Sequence, residues 1–206
     1  MTTVIWDFGG VLLRWDPAAL IARTLPHRIT DELGPQHWKE QFFLSYRGEW
    51  GEYDRGAMTE AEMVPLIAKR TGLQVREVQA VVDAVPAELQ PIEQSVALVR
   101  ALRDRGHRLH YLSNMPAPLA DRIEREHPFL QLFESGVFSS RVKISKPAPA
   151  IFTLAEQVFG CDPATTLFID DHPENIEAAL AHGWQARLFT GADAIAAELR
   201  QLRLID

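Results

Sequence analysis

The chain has 206 residues, a formal net charge of −7 and 47% hydrophobic residues. This is the composition of a folded globular chain, and its acidity excludes a general nucleic-acid binder, which needs a basic footprint to displace counterions from phosphates. A single cysteine, Cys161, excludes an internal disulfide and a cysteine-built zinc site.

The opening Met1-Thr2-Thr3-Val4-Ile5-Trp6-Asp7 has neither a basic run nor a long apolar stretch. No run of about 18 apolar residues follows it, so a cytoplasmic setting without a membrane anchor is expected. Val4-Ile5-Trp6 reads as a short buried strand, halted by Asp7, Gly9 and Gly10. Between residues 15 and 85 no strand pattern occurs. Residues 31–46, 59–71 and 75–85 read as helices, and Thr59 with Glu62 three residues on forms a capping box. Asp16-Pro17 and the stretch 86–91 are the hinges on either side.

From Pro91 the pattern alternates. Ile92, Val96, Val99 and Leu102 fall at helical spacing and Gly106 closes that helix. Residues 107–112 form a strand, and Val137-Phe138 a weaker one. A helix over 148–159 ends at Gly160, a strand covers 165–169, and a helix over 175–181 stops at Gly183. A strand over 184–189 and a helix over 193–202 complete the chain. This predicts an α/β fold, a Rossmann-like three-layer sandwich around a parallel sheet, built from residues 1–15 and 86–206. Residues 16–85 form a helical bundle inserted after the first strand.

Ligands of an open parallel sheet bind beyond the carboxyl ends of its strands. There stand Asp7-Phe8-Gly9-Gly10-Val11-Leu12, Leu112-Ser113-Asn114, Lys146-Pro147 and Phe168-Ile169-Asp170-Asp171. Each piece alone is ordinary loop or capping chemistry. Together they gather three carboxylates, a hydroxyl and an ammonium at one sheet edge. Carboxylates so placed repel unless a cation neutralises them, and a hard divalent ion with oxygen ligands does so.

This ordered set resembles the haloacid dehalogenase-like hydrolase superfamily over essentially the whole chain, and the inserted helices resemble its C1-type cap. Trp50-Gly51-Glu52-Tyr53-Asp54-Arg55-Gly56, and Asp170-Asp171 followed by Asn175, are similar to the branch of glucose-1-phosphate phosphatases and epoxide-hydrolase N-terminal phosphatase domains. The resemblance implies an Mg²⁺-dependent phosphatase for a small phosphorylated metabolite, in the finer form a sugar phosphate, acting as a monomer or homodimer. Asp7 is then the nucleophile that becomes an aspartyl-phosphate, and Lys146 its charge partner. Ser113, Asn114, Gly10 and Trp15 bind substrate. Asp7, the Gly9 carbonyl, Asp171 and Asp170 hold the metal.

One position departs from the pattern. Most phosphatases of the superfamily carry a second aspartate two residues after the nucleophile, to protonate the leaving group, and here Gly9 stands there. The glucose-1-phosphate-like branch shares that glycine, and an anomeric leaving group suggests faster turnover of sugar 1-phosphates than 6-phosphates. His172 and Asp16 are considered as substitutes, with an exposed first-turn position expected for His172. Arg14, Arg47 and Arg55 are further candidates for substrate contact. The alternatives are a metal-independent 2-haloacid dehalogenase and a non-catalytic protein of the same fold. Gly9, where dehalogenases carry tyrosine, and the acidic pair Asp170-Asp171 weigh against the first. The retained Asp7 and Lys146 weigh against the second.

Overall fold

The computed structural model describes residues 1–206. Its centre is a five-stranded sheet in the order β3-β2-β1-β4-β5, with every neighbouring pair parallel. The strands are β1 (Thr3–Trp6), β2 (Arg108–Ser113), β3 (Ser135–Phe138), β4 (Thr166–Asp170) and β5 (Gln185–Leu188). β1, wholly buried, is central, as its unbroken apolar run requires. It lies between β2 and β4, with Trp6 opposite Tyr111 on one side and Ile169 on the other. The chain turns to opposite sides of the sheet at this point, which opens a crevice beyond the strand ends.

The predicted strands all form, with ends shifted by a residue or two. Helices follow the alternation: α6 (Glu93–Asp104), α7 (Ala117–Glu126), α8 (Ser139–Val142), α9 (Pro149–Phe159), α10 (Pro173–Ala181) and α11 (Ala192–Gln201). α7 has no counterpart in the sequence reading. Its Ala120 and Ile123 are buried on one narrow face, too small an apolar stripe to stand out in a polar segment.

Between β1 and α6 lie five helices: α1 (Pro17–Thr24), α2 (Pro35–Phe43), α3 (Glu49–Asp54), α4 (Glu60–Thr71) and α5 (Val75–Glu88). No strand interrupts them. The Thr59–Glu62 capping box forms as predicted at the start of α4. α5 continues to Glu88, past the expected end at 85. The helix expected over 31–46 is shorter: α2 starts at Pro35, and three consecutive residues, Leu44, Ser45 and Tyr46, adopt positive φ. The left-handed region costs about 1–2 kcal/mol per non-glycine residue. No local propensity signals such a turn; Leu44 and Ser45 are exposed, and Tyr46 is the side chain held by a tertiary contact.

The two connections between this helical layer and the sheet run side by side. Arg14 N–H donates to the Gln90 carbonyl at 2.8 Å, and Ile92 N–H to that of Leu12 at 2.8 Å. One apolar cluster passes without a break from the sheet into the helices. It holds Phe8, packed against Tyr111 at 4.7 Å, together with Phe43, Trp50, Ile67 and Val81. A second cluster, including Ile5, Phe152, Phe168 and Trp184, covers the other face of the sheet. No helix is long and apolar enough to cross a membrane.

Candidate active site

The loop after β1 makes a tight reversal. Leu12 and Leu13 N–H both donate to the Phe8 carbonyl, at 2.9 and 2.8 Å, and Gly10 N–H donates to that of Leu13 at 2.8 Å. Burial of Phe8 points this turn into the core and leaves Asp7 at the strand end, only 7% exposed. Gly10 has φ +74°, and a Cβ there would collide with the Asp171 carboxylate. Only glycine lets Asp171 close over this turn.

Lys146, buried, lies between two carboxylates. Its Nζ is 2.6 Å from Asp170 Oδ2 and 2.8 Å from Asp7 Oδ1. The first contact is a hydrogen bond. The second is a charge contact off the hydrogen-bond direction, and Asp7 Oδ1 is buried with no hydrogen-bond partner. Burial pushes the Asp7 carboxyl up to about 6; Lys146 opposes the rise, while Asp170 and Asp171 add to it. Burial alone would lower the Lys146 ammonium, but the charges of Asp170 and Asp7 outweigh it and hold the ammonium above its ordinary range.

The acidic pair divides its work. Asp170 is fully enclosed and its oxygens are taken: Oδ1 accepts from His172 N–H at 2.8 Å, Oδ2 from Lys146, and Asn175 Nδ2 reaches both at 3.0 Å. Asp171 is partly exposed, and its Oδ1 meets His172 Nδ1 at 2.8 Å. Its Oδ2 faces Gly10. Asp170, Asp171 and His172 bring ligand atoms within 4.8 Å of one another. The open oxygen of Asp171, the unpartnered oxygen of Asp7 and the glycine cradle fit a hard oxygen-binding cation.

A cavity of about 260 Å³ opens above Asp7. Asp7, Gly9, Ser113, Asn114, Lys146 and Asn175 floor it. Apolar side chains make the wall beyond: Trp15, Trp50, Val85, Leu89, Met115 and Leu119. Trp15 Nε1 donates to Tyr46 Oη at 2.7 Å, which explains what the left-handed turn at 44–46 achieves. At the rim, Arg47 pairs with Glu174 and so joins the helical layer to α10.

The sequence-derived candidates mostly converge, with corrections. Gly10 is not a cavity wall: its N–H is engaged by Leu13, and its role is to admit Asp171. Asn114 lines the cavity, yet its amide is paired both ways with the Lys146 main chain, at 2.9 Å each, so it braces Lys146. His172 is exposed at the start of α10, as expected, with 46% of its side chain open to solvent, and it also lines the cavity and meets the Tyr46 ring at 5.6 Å. Asp16 caps α1, accepting from Ala19 N–H at 2.9 Å. Arg14 and Arg55 do not line the cavity, and Arg55 pairs with Glu52. Tyr46, Asp54, Met115 and Leu119 are cavity residues that sequence reasoning did not single out. Asp54 lies within the segment Trp50–Gly56 that carries the branch resemblance, but no role attached to it there.

The parallel sheet, its switch point and the acidic cluster at the strand ends define an α/β protein with a ligand crevice beyond the carboxyl ends of its strands. A model of haloacid dehalogenase-like hydrolases matches residues 1–183, and the chain belongs to that family. A sesquiterpene phosphatase of Aspergillus oryzae is 27% identical over 199 residues, which cover 96% of this chain and 94% of that protein. A predicted hydrolase of the same family from Porphyromonas gingivalis superposes with a TM-score of 0.73 at 24% identity, over 98% of each chain. An enzyme of the family from Bacteroides thetaiotaomicron, crystallised with magnesium and inorganic phosphate, gives 0.69 at 23% identity, over 91% of this chain and 93% of that one.

Proposed function

We propose that this hydrolase is a phosphatase that cleaves a small phosphate monoester through an aspartyl-phosphate on Asp7, and that Mg²⁺ is its cofactor. The observation that carries the reading is the buried, unbonded Oδ1 of Asp7, facing a cavity with Lys146 2.8 Å away. A carboxylate with one free oxygen is a nucleophile held ready. The fungal phosphatase and the magnesium–phosphate complex of the bacterial neighbour support the same chemistry.

Asp7, the Gly9 carbonyl and Asp171 would hold the ion, and Asp170 would orient Lys146 from behind. Bound there, Mg²⁺ supplies positive charge that offsets the phosphoryl oxygens and the crowded carboxylates. The chain's own groups do the rest. Asp7 attacks phosphorus, Lys146 keeps Asp7 ionised and aligned, and Ser113 at the end of β2 binds a phosphoryl oxygen. Most of the rate then comes from positioning and fixed charge. We further propose that residues 16–85 act as a cap over this site, joined to the core 1–15 and 86–206 by the paired connections.

Beyond the floor the cavity carries polar groups, among them Tyr46, Arg47 and Asp54, but Trp15, Trp50, Val85, Leu89, Met115 and Leu119 give it an extended apolar wall suited to an apolar leaving group. The sugar phosphate implied by the motif resemblance is therefore the second reading, and the monophosphate of an apolar alcohol the first. The sesquiterpene phosphatase relative favours the same choice. A phosphate-release assay with Mg²⁺ should rank farnesyl phosphate above glucose 1-phosphate and glucose 6-phosphate, with Asp7→Asn inactive on all three. The reverse order returns the sugar reading. Activity that survives EDTA, or chloride release from 2-chloropropionate, overturns the metal-dependent phosphatase.

A further inference from the structure

Position 9 has no acid, and the space beside it belongs to an indole: a Cβ at Gly9 would lie 3.9 Å from the Trp15 side chain. A leaving alcohol still needs a proton. Among the cavity residues contributed by the helical layer, Asp54 is the one carboxyl group. It ends α3 and is 6% exposed.

Its backbone is fastened to the core. Ser139 Oγ donates to the Asp54 carbonyl, and accepts from Met115 N–H at 2.9 Å. Two residues on, Gly56 lies so close to α8 that a Cβ would be 2.6 Å from the Ser140 carbonyl oxygen, and its φ is +71°. Lys143 Nζ donates to the Gly56 carbonyl. Residues 54–56 are thus fastened to the core. Asp54 has a fixed place relative to Asp7, as an acid catalyst requires.

The geometry points to Asp54 as the general acid and base of this site, supplied from the helical layer in place of the residue missing at position 9. The inference rests on the phosphatase reading. Burial raises the Asp54 carboxyl well above the carboxylate range; the Asp7 charge adds to this, and a hydrogen bond with Trp50 only moderates it. This direction favours the protonated form that a proton donor needs. Of the other donors that line the cavity, His172 and Tyr46 serve less well. His172 is engaged with Asp171. The Tyr46 phenol already accepts from Trp15, and burial raises it further above its usual range.

In the first half-reaction Asp7 Oδ forms the bond to phosphorus as the P–O bond to the alcohol breaks, and the Asp54 proton passes to the departing oxygen. In the second, Asp54, now a carboxylate, takes a proton from the water that attacks the aspartyl-phosphate. The Asp7–phosphorus bond breaks, phosphate leaves and both residues are restored.

The test compares two probes in Mg²⁺: p-nitrophenyl phosphate, whose leaving group departs without a proton, and n-hexyl phosphate, whose leaving group needs one. The value of kcat/KM reports the first half-reaction, and the ratio between probes does not depend on the folded fraction. Asp54→Asn should raise the ratio of p-nitrophenyl to hexyl by about 100-fold or more. An unchanged ratio overturns the assignment, because a structural or electrostatic role slows both probes alike. If the variant does not fold, the wild type decides: an acid makes kcat/KM depend only weakly on leaving-group pKa across a series of monoesters, and a steep dependence overturns the assignment. Wild-type protein that turns over neither probe would instead refute the phosphatase reading beneath it.

Discussion

Replacing Lys146 by methionine tests the charge arrangement on which the site depends. The side chain keeps its length and loses its ammonium. Asp7 and Asp170 are then left 7% and 0% exposed with no cation between them. At 2.8 and 2.6 Å each contact is worth about 6 kcal/mol for an effective dielectric of about 20, before desolvation of the ammonium is subtracted. Removing one partner of a buried pair costs about 3–5 kcal/mol net. Lys146→Met should therefore lower unfolding free energy by about 3 kcal/mol at pH 8. The deficit should shrink as pH falls from 8 toward 6, because without Lys146 the Asp7 carboxyl rises above its value of about 6 and takes up a proton earlier than in the wild type. Urea unfolding of the wild type, Lys146→Met, Asp7→Asn and the double variant measures this, with the m-value checking that the denatured state is unchanged. The double variant should recover about 2 kcal/mol of the summed losses. A deficit under about 1 kcal/mol at pH 8, or a coupling indistinguishable from zero, would refute the claim that Lys146 neutralises a buried carboxylate pair.

Further outcomes follow from single contacts. Gly10→Ala forces a Cβ into the Asp171 carboxylate, so Mg²⁺ affinity by calorimetry should fall at least about 10-fold, and unchanged affinity would remove Asp171 from the ligand set. Asp7 must lose its proton to bind the ion; in titrations from pH 7.5 to 5 the affinity should weaken below about 6, and a flat profile would contradict the raised Asp7 carboxyl. Glu77 accepts from Arg28 at 2.7 and 2.6 Å and is lowered from 4.5 to about 2 by those hydrogen bonds, against the cost of burial. A depressed carboxyl stabilises above its unfolded value and loses that contribution as pH falls toward the folded one. Acid unfolding between pH 4.5 and 2 should thus lose about 2 kcal/mol through Glu77, allowing for the partly exposed Arg28, and Glu77→Gln should flatten that part of the curve. Phe8→Ala should cost about 3–5 kcal/mol in urea unfolding, since its buried ring touches Tyr111 and Phe138.

Much of the chain was legible from local pattern. The apolar runs Val4-Ile5-Trp6 and Leu167-Phe168-Ile169 were readable because a strand buried on both faces has no polar residue to break it. Thr59 and Glu62 marked a helix start because the box closes within one turn. Asp7, Ser113, Lys146 and Asp170-Asp171 could be gathered at one edge because all parallel strands end on the same side of the sheet. α7 and the break at residue 44 were hidden, the first by a narrow apolar face and the second by a left-handed turn that distant Trp15 helps to hold.

What the sequence by itself determined, then, was the alternation, the insert and the residues able to carry charge to one sheet edge, since periodicity and order along the chain are local properties. The division between Asp170, whose oxygens are all engaged, and Asp171, which keeps one open, was decided only in three dimensions, by Lys146, Asn175 and Gly10 arriving from separate segments. The same holds for Asp54. In the chain it is 47 positions from Asp7, one acidic residue among 28. Only the folding of the helical layer over β1, and the fastening of residues 54–56 to α8, put it in the cavity floored by Asp7. Burial and neighbouring charge make a carboxyl an acid or a nucleophile, and both are properties of the packed molecule.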